Sequence, residues 1–559
     1  KALNINLGRN SQLTFSDSLT LVNNESGSLD ELVLGGGILN VAKLDADATN
    51  LNTTSGGTIN FTDSGTAQTA ATGSKITNDF TIGSGTAMNL GKNVYLTLGG
   101  ADKSVTTKGS KISFADSTST LNVSNLSANA SDFDMSKGGK IVFAKDSKSS
   151  ISGNATLGEN ASYVFSAAGT LNLDSLALTK TGNIEFAGKD SVLNLKNGMS
   201  ADDAKNQIKL SEGGTINFSG GNSVIKGKDN TDTNRFTTTA NKDTLFNVKG
   251  GSLNLENVKL DSEKSILTID GGVVNAAGLT TTNAANLNLK SGTLNFNQSA
   301  EDAAKDTFTL TTSTIGADLD LLKAGAQVNF NSGSLVKIGT DSKGTLSTAA
   351  GNNLNLGGQI ELGKLVSKSS ADSSLTNVNF GSASVSLSGN LVGKDTTNPA
   401  KFTIGTDKDG NSIIGASGEK VEIGETSTNS ALTLKSGVTT TNAALTTATD
   451  SKLVFGGGSL NVGAGGSLTI ADTSKNLELK DGVGGLLTLK GDGTKGGAMT
   501  ISKGDLDLSN TAMGISVEQG GQLIISASAA GIIGKGNKLS LTKFADIVDV
   551  KVREYFADT

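Results

Sequence analysis

Short alternations of apolar and polar residues, each preceded by glycine, recur along the chain. Residues 56–61 read Gly-Gly-Thr-Ile-Asn-Phe, and residues 213–218 repeat them letter for letter. Looser copies of this pattern lie at residues 139–143, 251–255, 292–296 and 458–462. In an extended chain, alternate side chains point to opposite faces, so Ile59 and Phe61 share one face and Thr58 and Asn60 share the other. The pattern therefore predicts many short β-strands, each with one buried face.

Such short strands predict a solenoid, because one strand cannot bury its apolar face alone whereas a stack of strands can. The first predicted strands are residues 3–7, 13–15 and 19–21, so their centres lie about eight residues apart. Three strands at this spacing make one coil of roughly two dozen residues, and on the order of twenty-odd coils fit the chain. Parallel crossovers favour a right-handed path. We therefore predict an all-β fold, an elongated right-handed parallel β-helix with short loop and helical insertions.

The predicted β-solenoid rod covers residues 1–542, and residues 543–559 form a distinct C-terminal segment. This tail lacks glycine turns and carries more charged and aromatic residues. It either caps the open edge of the last coil or forms a junction to a further part of the protein. Residues 200–205, 299–305 and 316–324 are predicted to be single helical turns or loops. In the second of them, Ser299 and Asp302 resemble a capping box.

Composition leaves disorder as the alternative to this fold. Apolar residues make up 35% of the chain and aromatic residues 4%, with 72 glycines and one proline. Low apolar content is typical of disordered chains, but here the apolar residues fall in alternating pairs and triplets after turns, which favours ordered β-structure. The net charge of −6 is small and the lysines are spread out, so the sequence shows no nucleic-acid footprint. The most apolar run, residues 523–533, is about half of the roughly 20 residues that span a bilayer, so no transmembrane segment is predicted.

The residue inventory argues against several kinds of enzyme. Cysteine, histidine and tryptophan are all absent, so the chain has no thiolate nucleophile, no Ser-His-Asp triad and no imidazole metal ligand. Aspartates such as Asp63, Asp116 and Asp174 are interpreted as turn formers. We therefore predict no catalysis and no required cofactor. The lack of cysteine also suits an exported bacterial protein that crosses membranes unfolded.

One candidate metal site lies in residues 407–412. Asp407, Asp409 and Asn411 occupy positions 1, 3 and 5 of an EF-hand-like calcium loop. Ser412 stands where that loop needs glycine, and Gly418 stands where it needs a bidentate glutamate. The three residues are therefore a candidate Ca²⁺ site, while an Asx-rich turn is the preferred interpretation.

Outward polar residues are predicted to stack into ladders. In most copies of the repeat, Thr or Ser and then Asn face away from the apolar pair. Solubility and side-chain hydrogen bonding between coils is the preferred interpretation, and a flat surface that pairs with an identical neighbour or with glycans is the alternative. Candidate assembly residues lie near the two ends of the sequence: Leu3, Ile5, Leu7, Phe544, Tyr555 and Phe556.

The glycine-led repeats between Gly56 and about Ile525, with no cysteine and one proline, resemble the secreted passenger of Gram-negative autotransporters. The resemblance implies a right-handed β-helix at the bacterial cell surface or in the extracellular medium. It further implies an adhesin or self-associating module, whose partners would be copies of itself or glycans and proteins of a host or cell surface. Some passengers carry an N-terminal serine protease domain, but residues 1–150 hold no sign of one.

Two hypotheses of different classes follow. In the first, the chain is a surface adhesin or self-association module that binds through its Thr/Asn/Ser ladders and projecting loops. In the second, it is a structural subunit of an extracellular filament, sheath or surface layer, joined end to end through strand 3–7 and the tail 544–556. Regular polymers of purified protein would favour the second hypothesis. Discrete particles that clump cells when displayed would favour the first.

Overall fold

The structure is a computed structural model, and it describes the greater part of the chain. The described residues are 4–22, 30–63, 65–201, 205–227, 236–238, 242–260, 262–283, 286–305, 309–321, 326–349, 353–356, 358–368, 377–379, 384–387, 390–393, 400–404, 411–415, 417–424, 430–491, 495–525, 531–533, 539–541 and 552–554.

The predicted fold class is confirmed. Strands make up 59% of the structure and helices 4%, and parallel sheets stack as a right-handed-type β-solenoid of about 18 turns. This number is below the predicted twenty-odd, because many turns exceed two dozen residues. Successive coils are offset by 20 residues between Asn40 and Asn60, but by 34 between Asn295 and Asn329.

The chain divides into two compact units. The first comprises Lys1–Val274 and Ala285–Asn288, and the second comprises Asn275–Ala284 and Leu289–Thr559.

In the first unit, the strands form three sets, and each strand pairs in parallel with strands of the neighbouring coils. The first set contains Asn4–Gly8, Glu31–Gly35 and Leu51–Asn52. The second contains Gln12–Leu21, Ile38–Asp47, Gly57–Phe61, Ser74–Thr77, Thr86–Leu90, Tyr95–Leu98, Lys111–Phe114, Thr120–Val123, Phe133–Asp134, Gly139–Phe143, Ala161–Phe165, Asn183–Phe186, Gln207–Leu210 and Phe236–Thr238. The third contains Phe80–Ile82, Ser104–Thr107, Asn125–Asn129, Lys148–Leu157, Thr170–Leu178, Val192–Leu195, Met199–Ala201, Gly214–Phe218, Asn222–Lys226, Thr244–Val248, Ser252–Glu256 and the greater part of Ser265–Ala277. Lys259–Leu260 is a further short strand of this unit.

In the second unit, most coils contribute one strand to each of three parallel sheets. The first sheet contains Leu287–Phe296, Ala326–Phe330, Asn353–Leu356, Asn377–Asn379, Ala400–Ile404, Ser430–Leu434, Lys452–Phe455 and Leu477–Leu479. The second contains Thr280–Thr281, Thr311–Ile315, Ser334–Ile338, Gln359–Leu362, Ser384–Leu387, Asn411–Ile414, Val438–Thr441, Ser459–Val462, Gly484–Leu489, Ala512–Val517 and Leu539–Leu541. The third contains Leu319–Leu321, Thr345–Ala349, Lys364–Lys368, Asn390–Gly393, Lys420–Ile423, Ala444–Thr447, Ser467–Ile470, Ala498–Ile501 and Gln522–Ile525. A small further sheet contains Leu506–Asp507, Gly531–Ile533 and Val552–Glu554.

The alternation in the repeat gives the predicted interior. Ile216 and Phe218 are 0% and 1% exposed. Thr215, which precedes them, and Asn217, which lies between them, are half-buried on the outer face. Neighbouring coils place like residues over each other, so the interior contains stacks of aromatic rings. Phe143, Phe165 and Phe186 form one such stack, with ring centroids 5.4 Å and 4.7 Å apart. Burial of these apolar faces is the main stabilising contribution of each coil.

The second glycine of the repeat is required by the coil beneath it. Gly214 has a φ of +146°, and a Cβ at this position would lie 2.5 Å from Cδ1 of Phe186 in the preceding coil. Gly139 has the same relation to Phe114, with a φ of +116° and a would-be Cβ contact of 2.6 Å. Both the backbone conformation and the close approach exclude a side chain. The glycine thus allows the backbone of the next coil to pack directly against an aromatic ring.

We expect Gly214→Ala to lower the free energy of unfolding by about 3 kcal/mol, because it adds backbone strain to an overlap with the Phe186 ring. The urea unfolding transition of the first unit measures this change. Gly8→Ala is the matched control, because no atom lies within 4 Å of its would-be Cβ; it should change stability by less than about 0.5 kcal/mol. Equal effects of the two substitutions would contradict this account of the repeat.

The helical insertions are partly as predicted. Ala300–Ala303 is a one-turn α-helix whose N-cap Ser299 accepts a hydrogen bond from the Asp302 amide, which confirms the second prediction. The helical turn predicted within residues 316–324 is wrong for Leu319–Leu321, which forms a strand paired with Thr345–Ala349. Its leucines alternate with Asp320, and this period of two suits a strand. In the other predicted turn, residues 200 and 201 belong to the strand Met199–Ala201, and residues 202–204 lie outside the described residues. Other short helices among the described residues are Ala48–Asn50, Ala130–Asp132, Thr340–Ser342 and Thr473–Asn476.

Some coils also use fewer and longer strands than predicted. Residues 13–15 and 19–21 belong to one strand, Gln12–Leu21, with a register shift between Phe15 and Ser18. Residues 16–18, which separate the two predicted strands, therefore form a bulge within one strand. Ile38–Asp47 continues the same arrangement, since its first half pairs with Gly57–Phe61 and its second half pairs with Ser74–Thr77. A single bent strand thus serves two faces of the coil.

Candidate functional site

Rows of asparagine amides run across the strands on the outer faces of both units. In the first unit, one row joins Asn40, Asn60 and Asn89, whose side chains are linked by hydrogen bonds of 2.7 and 2.8 Å. A second row in this unit, which we call the central ladder, consists of Asn172, Asn194, Asn217 and Asn247. In the second unit, Asn275, Asn295 and Asn329 form a further row. These rows confirm the predicted hydrogen bonding between coils.

The geometry of the central ladder is uniform. The Nδ2 group of each amide donates to Oδ1 of the asparagine in the preceding coil, at 2.8, 2.7 and 2.8 Å from Asn194 to Asn247. The first amide, Asn172, donates instead to the carbonyl of Ser149 at 3.3 Å. The four residues are register partners in adjacent parallel strands, so the alignment follows from the backbone pairing. Each amide thus donates one of its two N–H groups to the preceding coil, and the other remains for a ligand or for water.

The central ladder borders a shallow groove of about 200 Å³ in the first unit. Its polar lining comes from two outward rows, two residues apart along each strand. The groove is lined by Ser150, Ile151, Ser152, Asn172, Leu173, Asp174, Asn194, Leu195, Lys196 and Ser219. The three apolar residues point into the interior and are at most 2% exposed. The surface that the groove offers is therefore made of hydroxyl, amide, carboxylate and ammonium groups.

Asp174 is not the turn former that the sequence suggested. It lies within the strand Thr170–Leu178, where Oδ2 accepts a 2.8 Å hydrogen bond from the amide of Gly153 in the preceding coil. Gly153 lies in the register shift of Lys148–Leu157, and its amide would otherwise lack a strand partner there. The other carboxylate oxygen of Asp174 faces Nζ of Lys196 at 3.8 Å. Asp174 therefore joins three coils and places a charge in the groove.

Asp63 and Asp116 are turn formers, as predicted. Oδ1 of Asp63 accepts the Gly65 amide at 2.9 Å, and Oδ1 of Asp116 accepts the Thr118 amide at 2.8 Å and its hydroxyl at 2.6 Å. The Thr118 hydrogen bonds hold the pKa of Asp116 below its usual value. Hydrogen bonds from Thr49 to Asp47 and from Ser474 to Asp472 lower the pKa of those carboxyl groups in the same way.

These lowered pKa values predict acid sensitivity. A carboxyl group whose folded pKa lies below the usual 3.8 stabilises the fold fully above that value, and this contribution is lost as the pH falls through the folded pKa. Because the chain has no histidine, we expect the thermal midpoint to be nearly flat between about pH 5 and 9 and to fall below about pH 4. A series of melting curves across this range measures it. A steep change centred near neutral pH would contradict the assignment.

Four buried asparagines at coil corners have a structural role that was not predicted from the sequence. Asn50, Asn206, Asn286 and Asn476 are at most 1% exposed, and their Nδ2 groups donate to backbone carbonyls of other turns. Asn50 and Asn476 end one-turn helices that begin after Asp47 and Asp472, which cap them. The signal that could have found this pair is an aspartate three or four residues before asparagine, followed by leucine. These residues hold the corners together and are not exposed to a ligand.

The candidate calcium residues are only partly described. Asp407 and Asp409 lie outside the described residues, and Asn411 begins the strand Asn411–Ile414, which pairs with Val438–Thr441. Among the described residues, no group of three or more acidic side chains is placed to hold a metal ion. The calcium site stays a prediction.

The candidate assembly residues are also only partly described. Ile5 is half-buried and Leu7 is buried in the interior face of Asn4–Gly8, which pairs with Glu31–Gly35. Leu3, Phe544, Tyr555 and Phe556 lie outside the described residues. Within the tail, Val552–Glu554 pairs in parallel with Gly531–Ile533. The assembly role of these residues, and the boundary at residue 542, stay predictions.

Comparison with known proteins adds no family to this description. No family model and no curated protein matches the chain. In the part of the chain that the structure describes, no helix is both long enough and apolar enough to cross a membrane.

Proposed function

We propose that this chain is a non-catalytic binding module displayed at a bacterial cell surface, where it acts as an adhesin or self-association module. The observation that supports the proposal most is the pair of outward polar rows beside the groove. The central ladder fixes its amides by inter-coil hydrogen bonds at 2.7–2.8 Å, so the groups that face solvent are already ordered. Ordered polar groups lose little entropy when they bind a partner.

The repetition of similar strands also supports the proposal, because it repeats the same binding contacts. Each coil adds about 4.8 Å to a stack and presents a similar set of polar groups, so a stack offers the same contacts many times. Repeated weak contacts give strong attachment when they act together. This property suits adhesion between cells or between a cell and a surface. The resemblance of the repeats to autotransporter passengers is consistent with the same role and with a location outside the cell.

Surface display tests the proposal. The chain is fused to a membrane anchor on a bacterial strain that neither clumps nor attaches, and the rates of cell settling and of attachment to cultured cells are measured. We expect displaying cells to settle or attach faster than cells that carry the anchor alone. Equal rates would contradict the proposal.

Electron microscopy of the purified chain tests the filament hypothesis. Discrete particles agree with the adhesin proposal. Regular end-to-end polymers, together with no effect of display on settling or attachment, would instead support a structural subunit of a filament, sheath or surface layer.

A further inference from the structure

We propose that the groove beside the central ladder binds a neutral polyhydroxylated chain, a polysaccharide segment that lies across the strands and parallel to the ladder. This inference rests on the proposed binding function and names the ligand class and the site. Three features of the groove support it. They are the unused hydrogen-bonding capacity of the ladder, the balanced charges of the side wall, and the lack of a free strand edge or of side-chain pockets that a peptide would need.

The ladder presents paired donors and acceptors. A primary amide has two N–H donors and two oxygen lone pairs, and an amide inside the ladder uses one of each on its neighbours. Asn194 and Asn217 therefore each keep one donor and one acceptor toward solvent. Each hydroxyl group of a sugar can likewise donate and accept one bond. A sugar chain that lies along the ladder can therefore present one hydroxyl group to each successive amide of a row that repeats at about 4.8 Å.

The side wall adds opposite charges that balance. Lys196 and Asp174 lie 3.8 Å apart, and their side chains are 73% and 33% exposed. An ion pair this open contributes little by itself and exceeds hydrogen-bonding distance, so a hydroxyl group beside the pair can bond to both charges. Ser152 and Ser219 continue the wall on either side with exposed hydroxyl groups. A wall without net charge favours a neutral ligand over a polyanion or polycation.

The same groove offers little to a peptide. A peptide that adds to a sheet needs a free strand edge, yet Thr170–Leu173 pairs with Lys148–Ile151 on one side and Val192–Leu195 on the other. Side-chain pockets are also lacking in the lining, because Ile151, Leu173 and Leu195 are at most 2% exposed. The lining contains no aromatic residue for stacking. Each sugar unit would be held by hydrogen bonds alone, so we expect weak binding per groove that display on a cell makes strong.

The test is affinity electrophoresis of the full chain in native gels that contain one neutral polysaccharide each: mannan, dextran or a soluble β-glucan. Heparin serves as the charged comparison. Lys196→Ala with Asp174→Asn removes both charges and keeps an oxygen at residue 174 for the Gly153 amide. Ser219→Ile fills one side of the groove from an exposed position with an apolar side chain that offers no aromatic face to a sugar. The matched control is Lys180→Ala with Glu159→Gln, an exposed pair 3.4 Å apart elsewhere in the first unit.

We expect at least one neutral polysaccharide to retard the unmodified chain, and the control to be retarded equally. The charge variant should bind about tenfold more weakly, as for one or two lost hydrogen bonds to charged groups, and Ser219→Ile should abolish retardation. Circular dichroism confirms that the variants stay folded. Retardation by none of the three neutral polysaccharides, retardation by heparin alone, or retardation that both groove variants leave unchanged would overturn the inference.

The display assay separates this inference from the proposed function. Cells displaying the charge variant are compared with cells displaying the unmodified chain. If both settle or attach at the same rate and no neutral polysaccharide is bound, the groove inference fails while the adhesin proposal stands. If attachment is lost with the charge variant and a neutral polysaccharide competes with attachment of the unmodified chain, both are supported.

Discussion

Replacing Phe165 with alanine is expected to lower the free energy of unfolding by about 4 kcal/mol, which is among the largest effects of any single substitution in the first unit. Phe165 is 0% exposed and lies between two other rings, with its centroid 4.7 Å from that of Phe186 and 5.4 Å from that of Phe143. Alanine would leave a cavity between three coils. It would also remove both ring contacts, and the strand pairing around it holds the backbone too firmly to close the space.

Urea unfolding followed by circular dichroism measures this effect. Phe165→Leu is the matched variant, since it keeps most of the volume and should cost about 1–1.5 kcal/mol. The expected result is a large loss for alanine and a small loss for leucine in the same transition. Small and equal losses would mean that the ring stack is not a packed interior, and would contradict the stacking of these three coils.

Replacing Asn476 with alanine is expected to lower the free energy of unfolding of the second unit by about 3 kcal/mol. Its Nδ2 group has two N–H donors and lies 2.9, 3.2 and 2.8 Å from the carbonyl oxygens of Ala448, Thr449 and Ser451, so two of these carbonyls share one donor. Asn476 is 1% exposed, so alanine would leave these carbonyls short of a donor at a corner that water reaches poorly. All three carbonyls belong to one turn, so a single substitution weakens the hydrogen bonding of the whole corner.

Asn461→Ala provides the control for this substitution. Asn461 lies half-buried on the outer face of Ser459–Val462 in the same unit. We expect its replacement to change stability by less than about 0.5 kcal/mol, as is usual for outward positions. Unfolding midpoints of the two variants and the unmodified chain give the comparison. If both asparagine substitutions had similar effects, Asn476 would not be the corner anchor that its hydrogen bonds indicate.

Much of the fold was predictable from the sequence because the repeat has a period of two. In residues 213–218, a glycine pair precedes alternating Thr, Ile, Asn and Phe, and the structure buries Ile216 and Phe218 as this alternation requires. The outward Asn217 then stacks on Asn194. A strand that is too short to be stable alone has few ways to bury such a face, so local pattern and global fold agree.

The remaining details were not predictable because they depend on contacts between coils. Asp174 looks like many other aspartates near turns, and only the bulge at Gly153 in the preceding coil shows why it lies inside a strand. Asn476 follows the capping residue Asp472, which marks a helical turn, but a corner has no period that tells which way the asparagine side chain points. Leu319 and Leu321 were assigned to a helix because one segment of three residues supports either period.

The candidate groove was only partly predictable for a similar reason. The ladder of Asn172, Asn194 and Asn217 follows from strand alternation, once the coils are known to be in register. The pairing of Lys196 with Asp174 needs the register itself, because the two residues lie in different coils. Insertions change the length of each coil, and the sequence alone does not set which residues face each other across the gap.

Disulfide crosslinking between neighbouring coils therefore tests their register most directly. The chain is suitable for this experiment because it contains no cysteine of its own. Asn194→Cys with Asn217→Cys in the first unit, and Asn295→Cys with Asn329→Cys in the second, place thiols on register partners about 4.8 Å apart, within disulfide range. Asn194→Cys with Thr215→Cys is the offset control, at roughly 8 Å across the same face. Mild oxidation should crosslink both register pairs quickly and the offset pair slowly or not at all. Equal crosslinking of register and offset pairs, or none in either register pair, would contradict the in-register stack from which the ladder and the groove arise.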